Sequence, residues 1–214
     1  MADIFREVDE ELRRENFEKL WKRYGKIVIA VVVVVIAAMA AFQGWRAYDQ
    51  KQREAQSDAF AAALATAQAG DSVSAANALV ELSDPDGGGY PGLAAMERAR
   101  LLAASGDLGG AIDLWDRIAA DSGLGAGFRD MATLMSVMHQ IDQGEPSALR
   151  QRLEPLAAED APFRGSAWEL LAVLSLRAGD TAAARELYTR ISDDLELPGG
   201  LRARAAQVLA ALGG

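Results

Sequence analysis

The stretch Ile27 to Phe42, IVIAVVVVVIAAMAAF, carries no charged or strongly polar side chain. Extended outward it runs from Gly25 to about Gly44, with Lys26 and Gln43 its only polar side chains. A hydrocarbon core ~30 Å thick takes roughly 20 apolar residues in a helix. Valine and isoleucine are mediocre helix formers in water. In lipid that weakness is overridden, because every backbone N–H and C=O must be bonded within the segment. Trp21 and Tyr24 precede the run, and Trp45 and Tyr48 follow it, as the two interfacial aromatic belts require. A buried core helix would keep a polar face. The stretch predicts a transmembrane helix over residues 25–45, with Ile27, Val31, Val35, Ala38 and Phe42 inside the span.

Ala38-Met39-Ala40 resembles a signal-peptidase site. A signal peptide, however, has a short basic start and a shorter apolar run. Here 26 residues precede the run, seven of them acidic, which favours an uncleaved anchor. Arg13, Arg14, Lys19, Lys22, Arg23 and Lys26 lie before the span, against Arg46, Lys51 and Arg53 after it. Positive flanks stay in the cytoplasm. The expected topology is a single pass through a bacterial inner membrane, N-terminus cytoplasmic and the remainder periplasmic.

Residues 1–24 are expected to form a cytoplasmic amphipathic helix, with Asp3 as N-cap. Ile4, Phe5, Val8 and Leu12 recur at near-helical spacing, and Phe17, Leu20, Trp21 and Tyr24 continue the apolar content. Two readings stay open: a solvated extension of the membrane helix, or a docking helix facing a partner or the headgroups. Seven basic and seven acidic residues leave residues 1–26 neutral, so the net charge of −9 lies beyond them, as 15 basic against 24 acidic residues. That excludes nucleic acid as a partner, which calls for a basic patch. The chain has no Cys and one His, His139, which removes disulfides, thiolate chemistry and His-rich metal sites. Nothing in the residues calls for a cofactor.

Residues 46–69 read as a helical extension that supplies the first helix of a repeat array. Four short turns then recur: AQAGDS at Gly70, AASGDL at Gly106, IDQGEP at Gly144 and LRAGDT at Gly179, spaced 36, 38 and 35 residues apart. A period in this range means stacked helix-turn-helix units. Each Gly is expected to supply a left-handed residue that ends one helix. Asp71, Asp107, Glu145 and Asp180 follow, at the positive end of the next helix. The offsets agree as well. Seven residues before each Gly stand Ala63, Ala99, Val137 and Ala172, and five after stand Ala75, Ala111, Leu149 and Ala184. Nine after stand Leu79, Trp115, Leu153 and Tyr188, and twelve after stand Leu82, Ile118, Leu156 and Ile191. Small residues let helices approach and large ones fill the space to the next pair, so these positions read as core.

Ala99, Ala111 and Trp115, and again Trp168, Ala172, Ala184 and Tyr188, resemble the tetratricopeptide repeat: a small residue in the first helix, an Ala early in the second, an aromatic four later. The first unit matches weakly, and the third departs at Val137 and Leu149. The resemblance implies an all-α fold: a transmembrane helix followed by an α-solenoid of TPR-like hairpins over about 70–195, with a capping helix at 198–214. Between units, Asp84 to Gly92, Asp121 to Gly127 and Glu159 to Arg164 read as connections. No Lys-Ser/Thr follows the glycines of the first, so it is not a phosphate loop. Pro155 should kink or end the second helix of the third unit. Pro198-Gly199-Gly200 should stop the fourth, before a last helix with Leu201, Ala205, Val208, Leu209 and Leu212 on one side.

Asp193-Asp194 and Glu159-Asp160 are adjacent, so neither pair shares a helix face. His139 has Gln140, Asp142 and Gln143 near it in sequence, and a lone His on a helix reads as packing or surface rather than as a catalytic base. Nothing here reads as an enzyme. Met131, Met135 and Met138 form a stripe, either core packing or an adaptable apolar surface. The first helices are expected to line a binding groove, with Leu102, Met131, Met135, Met138, Trp168 and Leu171 as its contacts.

The layout as a whole, with DIFREVDEELRRE and LWKRYGK before the span, resembles the ancillary subunit family of the bacterial Sec translocon, alphaproteobacterial type. These are single-span inner-membrane proteins with a periplasmic TPR-like domain. The resemblance implies partners in the membrane and periplasm: the translocon, exported clients or chaperones, and lipid around the span. An accessory subunit or assembly factor of another inner-membrane complex, such as a respiratory one, is the alternative. It would bind through Ala37, Ala38, Ala40, Ala41 and Gly44. An envelope-division coordinator would share the repeats.

Overall fold

The structure is a computed structural model. It describes the backbone of residues 2–83 and 90–213 and the side chains of residues 21–83 and 90–213. Among these, all regular structure is helical: α1 (Ala2–Gln68), α2 (Ser72–Ala78), α3 (Pro91–Ala104), α4 (Leu108–Ala120), α5 (Ala126–Gln140), α6 (Pro146–Leu153), α7 (Arg164–Arg177), α8 (Thr181–Asp193) and α9 (Gly199–Ala211). Short 3-10 turns follow α2 at Glu81–Ser83 and α6 at Glu154–Ala157. The chain divides into two compact units, Met1–Glu54 and Ala55–Gly214. The all-α expectation holds. The side chains of Asp3, the expected N-cap, and of the apolar tail residues before Trp21 lie outside the described residues, as do Asp84 to Gly89 of the first connection.

In the first unit, residues 27–42 are exposed throughout, including Ile27 (59%), Val31 (55%), Val35 (50%), Ala38 and Phe42 (62%). The most apolar 18-residue window has a mean hydropathy of 2.7, and none of it is buried. This helix is long and apolar enough to cross a membrane. Past the run the helix is sustained by polar pairs one turn apart: Gln52 donates to Tyr48 at 2.9 Å, Arg53 pairs with Asp49 at 3.0 Å, and Gln50 donates to Glu54 at 2.9 Å.

Among its described residues, the second unit has four hydrophobic clusters, one per repeat. Ala63, Ala75, Ala76 and Leu79 gather with Ala94 and Leu101 of α3. Ala99, Ala111, Leu114, Trp115 and Ile118 gather with Ala132 of α5. Val137, Leu149, Leu153 and Leu156 gather with Ala167, Leu171 and Leu174 of α7. Trp168, Ala172, Ala184, Tyr188 and Ile191 gather with Leu201 and Ala205 of α9. Each cluster is therefore a helix pair closed by the first helix of the next unit, and α9 closes the last. Every residue at the four repeated offsets is buried except Leu82, which is half-buried.

Three of the four turns have the form the spacing predicts. Gly70, Gly106 and Gly179 stand at φ of 96°, 94° and 77°. In each, the Gly N–H bonds the carbonyl three residues back and the next N–H bonds the carbonyl five back, as with Gly106 to Ala103 at 3.1 Å and Asp107 to Leu102 at 2.9 Å. The following carboxylate then caps the next helix. Asp71 accepts from Ser74 N at 2.9 Å, Asp107 from Gly110 N at 2.9 Å and Asp180 from Ala183 N at 2.9 Å. Glu145 does the same from Ala148 N at 2.8 Å.

The third turn is a correction. Gly144 does not take a positive φ. Its N–H donates to Gln140 O at 2.7 Å. Glycine stands there for space: a Cβ would lie 2.9 Å from Gln140 O and 2.9 Å from Leu149 Cδ1. Two boundaries differ too. Gly199 and Gly200 open α9, with Pro198 before them as N-cap, and Pro91 and Gly92 lie in the first turn of α3. Proline tolerates a helix's first turn because that N–H has no partner there. α6 ends at Leu153, and Pro155 falls in the 3-10 turn beyond it.

Two expectations follow. Gly106→Ala, strained by its positive φ, should cost about 1–3 kcal/mol in thermal unfolding. Gly144→Ala should also destabilise, through collision. Gly109→Ala, which meets nothing within 4 Å, should leave stability unchanged or raise it by up to about 1 kcal/mol. The second concerns pH. Hydrogen bonds from Ser74 hold Asp71 below the usual carboxylate range. Those from Ser147 and Ala148 do the same for Glu145. The Glu196 N–H and Arg164 do so for Asp194. Folding thus favours their charged forms, so their contribution is whole above the ordinary pKa of about 4 and is lost as pH falls through the folded values. The melting temperature should drop on acidification below about pH 4, and Asp71→Asn with Glu145→Gln should flatten that drop.

Candidate protein-interaction surface

α5 reads AGFRDMATLMSVMHQ. Its Ala132, Leu134, Ser136 and Val137 are buried. The helix contacts α3 on one side and α7 on the other, so the three first helices form one layer. Phe128 (39%), Met131 (38%) and Met138 (42%) are exposed, and Met135 between them is half-buried against the second cluster. The spacing of three, four and three residues puts these side chains in one row. An apolar row on one helix face is the form in which an extended or helical protein segment is bound, and methionine adapts to varied partners.

A polar lock fixes another side of α5. Ser136 is fully buried, and its Oγ donates to Asp116 Oδ1 on α4 at 2.5 Å. Arg152 Nη2 on α6 donates to the same Asp116 oxygen at 2.5 Å and to Ser136 Oγ at 3.2 Å. Gln140 Nε2 donates to Ser136 Oγ at 2.8 Å. Three helices meet on one hydroxyl, so α5 cannot rotate without breaking bonds to both neighbours. His139 stacks on Trp115 with ring centroids 4.6 Å apart. Its Nδ1 lies 2.8 Å from Met135 O, which can only accept, so the proton sits on Nδ1. His139 is a packing residue of this face.

Of the residues singled out in the sequence, Met131, Met135 and Met138 share the row. Leu102 lies elsewhere, half-buried between the first and second clusters. Trp168 and Leu171 are 3% and 7% exposed and offer no contact surface in this arrangement. Trp168 Nε1 donates to Ala157 O at 2.9 Å, and the Arg190 guanidinium covers its ring at 4.0 Å. Phe128 is the member of the row that sequence reading missed. Its signal was the same helical spacing, continued one step toward the N-terminus. Among the described residues, no group of His, Asp and Glu is placed to hold a metal ion.

Trp115 Nε1 is buried with no hydrogen-bond partner. An unpaired buried donor costs about 1–3 kcal/mol. Trp115→Phe removes that donor along with some volume and should change stability by less than about 1.5 kcal/mol. Trp115→Ala should cost about 3–5 kcal/mol. Denaturant unfolding of the two variants checks both values.

Comparison with curated proteins and with solved structures gives no significant match. A family model described as a tetratricopeptide repeat-like domain matches residues 18–208, which takes in the end of the tail, the apolar run and all four helix pairs. The match covers most of the 214 residues and agrees with the stacked hairpins, so the chain belongs to the tetratricopeptide repeat-like domain family.

Proposed function

We propose that this protein is a membrane-anchored scaffold, not an enzyme, whose repeats hold other proteins beside the bilayer. The observation that carries the reading is the exposed row Phe128-Met131-Met135-Met138 on a locked helix of a tetratricopeptide repeat-like domain. The apolar, wholly exposed residues 27–42 of α1 supply the anchor. The basic flank before that run supports a cytoplasmic N-terminus and a periplasmic repeat domain in a bacterial inner membrane. The resemblance of DIFREVDEELRRE and LWKRYGK to the ancillary translocon subunits supports the Sec translocon as the complex it joins, with exported proteins or periplasmic chaperones on the repeats.

Two measurements test this. Full-length protein and a version lacking residues 1–20 are purified from native membranes in mild detergent, and partners are identified by mass spectrometry. Translocon subunits should dominate with the full-length chain. Their loss on truncation would assign docking to the tail, and another complex at fixed stoichiometry would replace the translocon reading. Separately, Met131→Asp with Met138→Asp should leave the melting temperature nearly unchanged, since both side chains are exposed. Client cross-linking should fall several-fold, and unchanged cross-linking would remove the α5 row as the contact.

A further inference from the structure

Three of the chain's six methionines, Met131, Met135 and Met138, stand within one helix, α5, in the row described above. Leucine would offer a partner the same apolar contact. Methionine adds a thioether sulfur, which takes up oxygen reversibly. The chain has no cysteine, so thioethers are all the sulfur chemistry it has.

The methionines of the repeat domain fall into two classes. Met131 and Met138 are exposed. Met96 of α3 and Met135 are half-buried, both packed against the second cluster. Accessible thioethers are oxidised first. An oxidant in solution therefore reaches two positions of the row ahead of the sulfurs that support the core. The fold tolerates the change. The buried residues of α5, Ala132, Leu134, Ser136 and Val137, carry no sulfur. The bonds that fix its rotation run through Ser136, Asp116, Arg152 and Gln140, which carry none either. So the row stays outward while its surface changes. Met131 and Met138 are seven residues apart, two turns along one face. A sulfoxide at each puts a strong hydrogen-bond acceptor where an apolar partner offers no donor, and covering an unpaired polar oxygen is unfavourable.

We propose that Met131 and Met138 form a reversible oxidation site that turns the α5 row from apolar to polar and releases the protein it holds. The proposal rests on the reading of that row as a protein contact. The oxidant is of the hypohalous acid class. A sulfur lone pair takes the chlorine of HOCl and hydroxide leaves. Water then adds to sulfur, and chloride leaves with the water's two protons released. The net step converts thioether and HOCl to sulfoxide, H⁺ and Cl⁻, sulfur losing the two electrons that chlorine gains. A sulfoxide reductase reverses it: two of its thiols become a disulfide, and the sulfoxide oxygen departs as water.

The test uses full-length protein in native membranes, with a photoreactive amino acid at Phe128, a member of the row that has no sulfur. Membranes are treated briefly with hypochlorous acid, quenched with free methionine and irradiated. Peptide mass spectrometry should find sulfoxide at Met131 and Met138 several-fold sooner than at Met96 and Met135. Purified protein oxidised to that point should keep its melting temperature. Client adducts should fall about tenfold, and should return after treatment with the two stereospecific sulfoxide reductases and dithiothreitol. Met131→Leu with Met138→Leu keeps the row apolar at similar volume. Its adducts should match those of the untreated parent and survive the oxidant. That variant retains Met39, exposed in the apolar run, so it also accounts for oxidation there and on the partners. Sulfoxide forming as fast at Met96 and Met135, adducts unchanged with both exposed sulfurs oxidised, or an equal loss of adducts in the leucine variant overturns the proposal. Adducts that are present but indifferent to oxidation sink the switch alone. No adducts even from untreated protein would remove the contact reading, and the switch with it.

Discussion

The repeat domain depends on how closely two helices can approach within each pair. In three of the four pairs the first helix offers a buried alanine, Ala63, Ala99 or Ala172, and the second answers with Ala75, Ala111 or Ala184 in the same cluster. Side chains this small bring backbones together. The larger Leu79, Trp115, Tyr188 and Ile191 are then left to fill the space toward the next unit. The third pair uses Val137 and Leu149 and is still fully packed, at 0% and 3% exposure. Each pair leaves an apolar face that only the next unit can cover, so the array must end in a cap, and α9 is that cap. Its Leu201 packs so near α7 that a Cβ on Gly165 would lie 2.7 Å from Leu201 Cδ2.

Between the pairs, one short turn does two jobs. A glycine closes the last carbonyls of one helix, and the acidic residue after it caps the first N–H groups of the next. This economy is why the repeat was legible in the sequence: the Gly-Asp step and the offsets around it are fixed by backbone geometry and by core volume. Gly144 kept its place in that pattern for another reason, close approach to Gln140 O and Leu149, which a spacing argument does not distinguish from a positive φ. Spacing also does not say which large residue of a first helix ends up covered. Trp168, like the methionines, is a large apolar residue of a first helix, but the turn after α6 and the Arg190 side chain cover it. Phe128 was passed over because it stands beside Gly127 and Arg129, near the helix start, where the apolar pattern is thin.

The candidate surface follows from these constraints. α5 shares its clusters with α3 and α4 on one side and with α6 and α7 on the other, and the Ser136–Asp116–Arg152 bonds fix its rotation. An apolar row held outward by a rigid scaffold costs little entropy when a partner covers it, which is the physical basis for reading it as a contact rather than an accident of composition. The exposed apolar helix of the first unit is long and apolar enough to cross a membrane.

The measurement that tests the central claim most directly is a photocross-linking scan in native membranes. A photoreactive amino acid is placed singly at Phe128, Met131 and Met138, and at exposed positions on other helices, Glu186 of α8 and Gln207 of α9. The account predicts protein adducts from the three α5 positions and few or none from the other two. Adducts spread evenly over all five, or concentrated on α8 and α9, would contradict it.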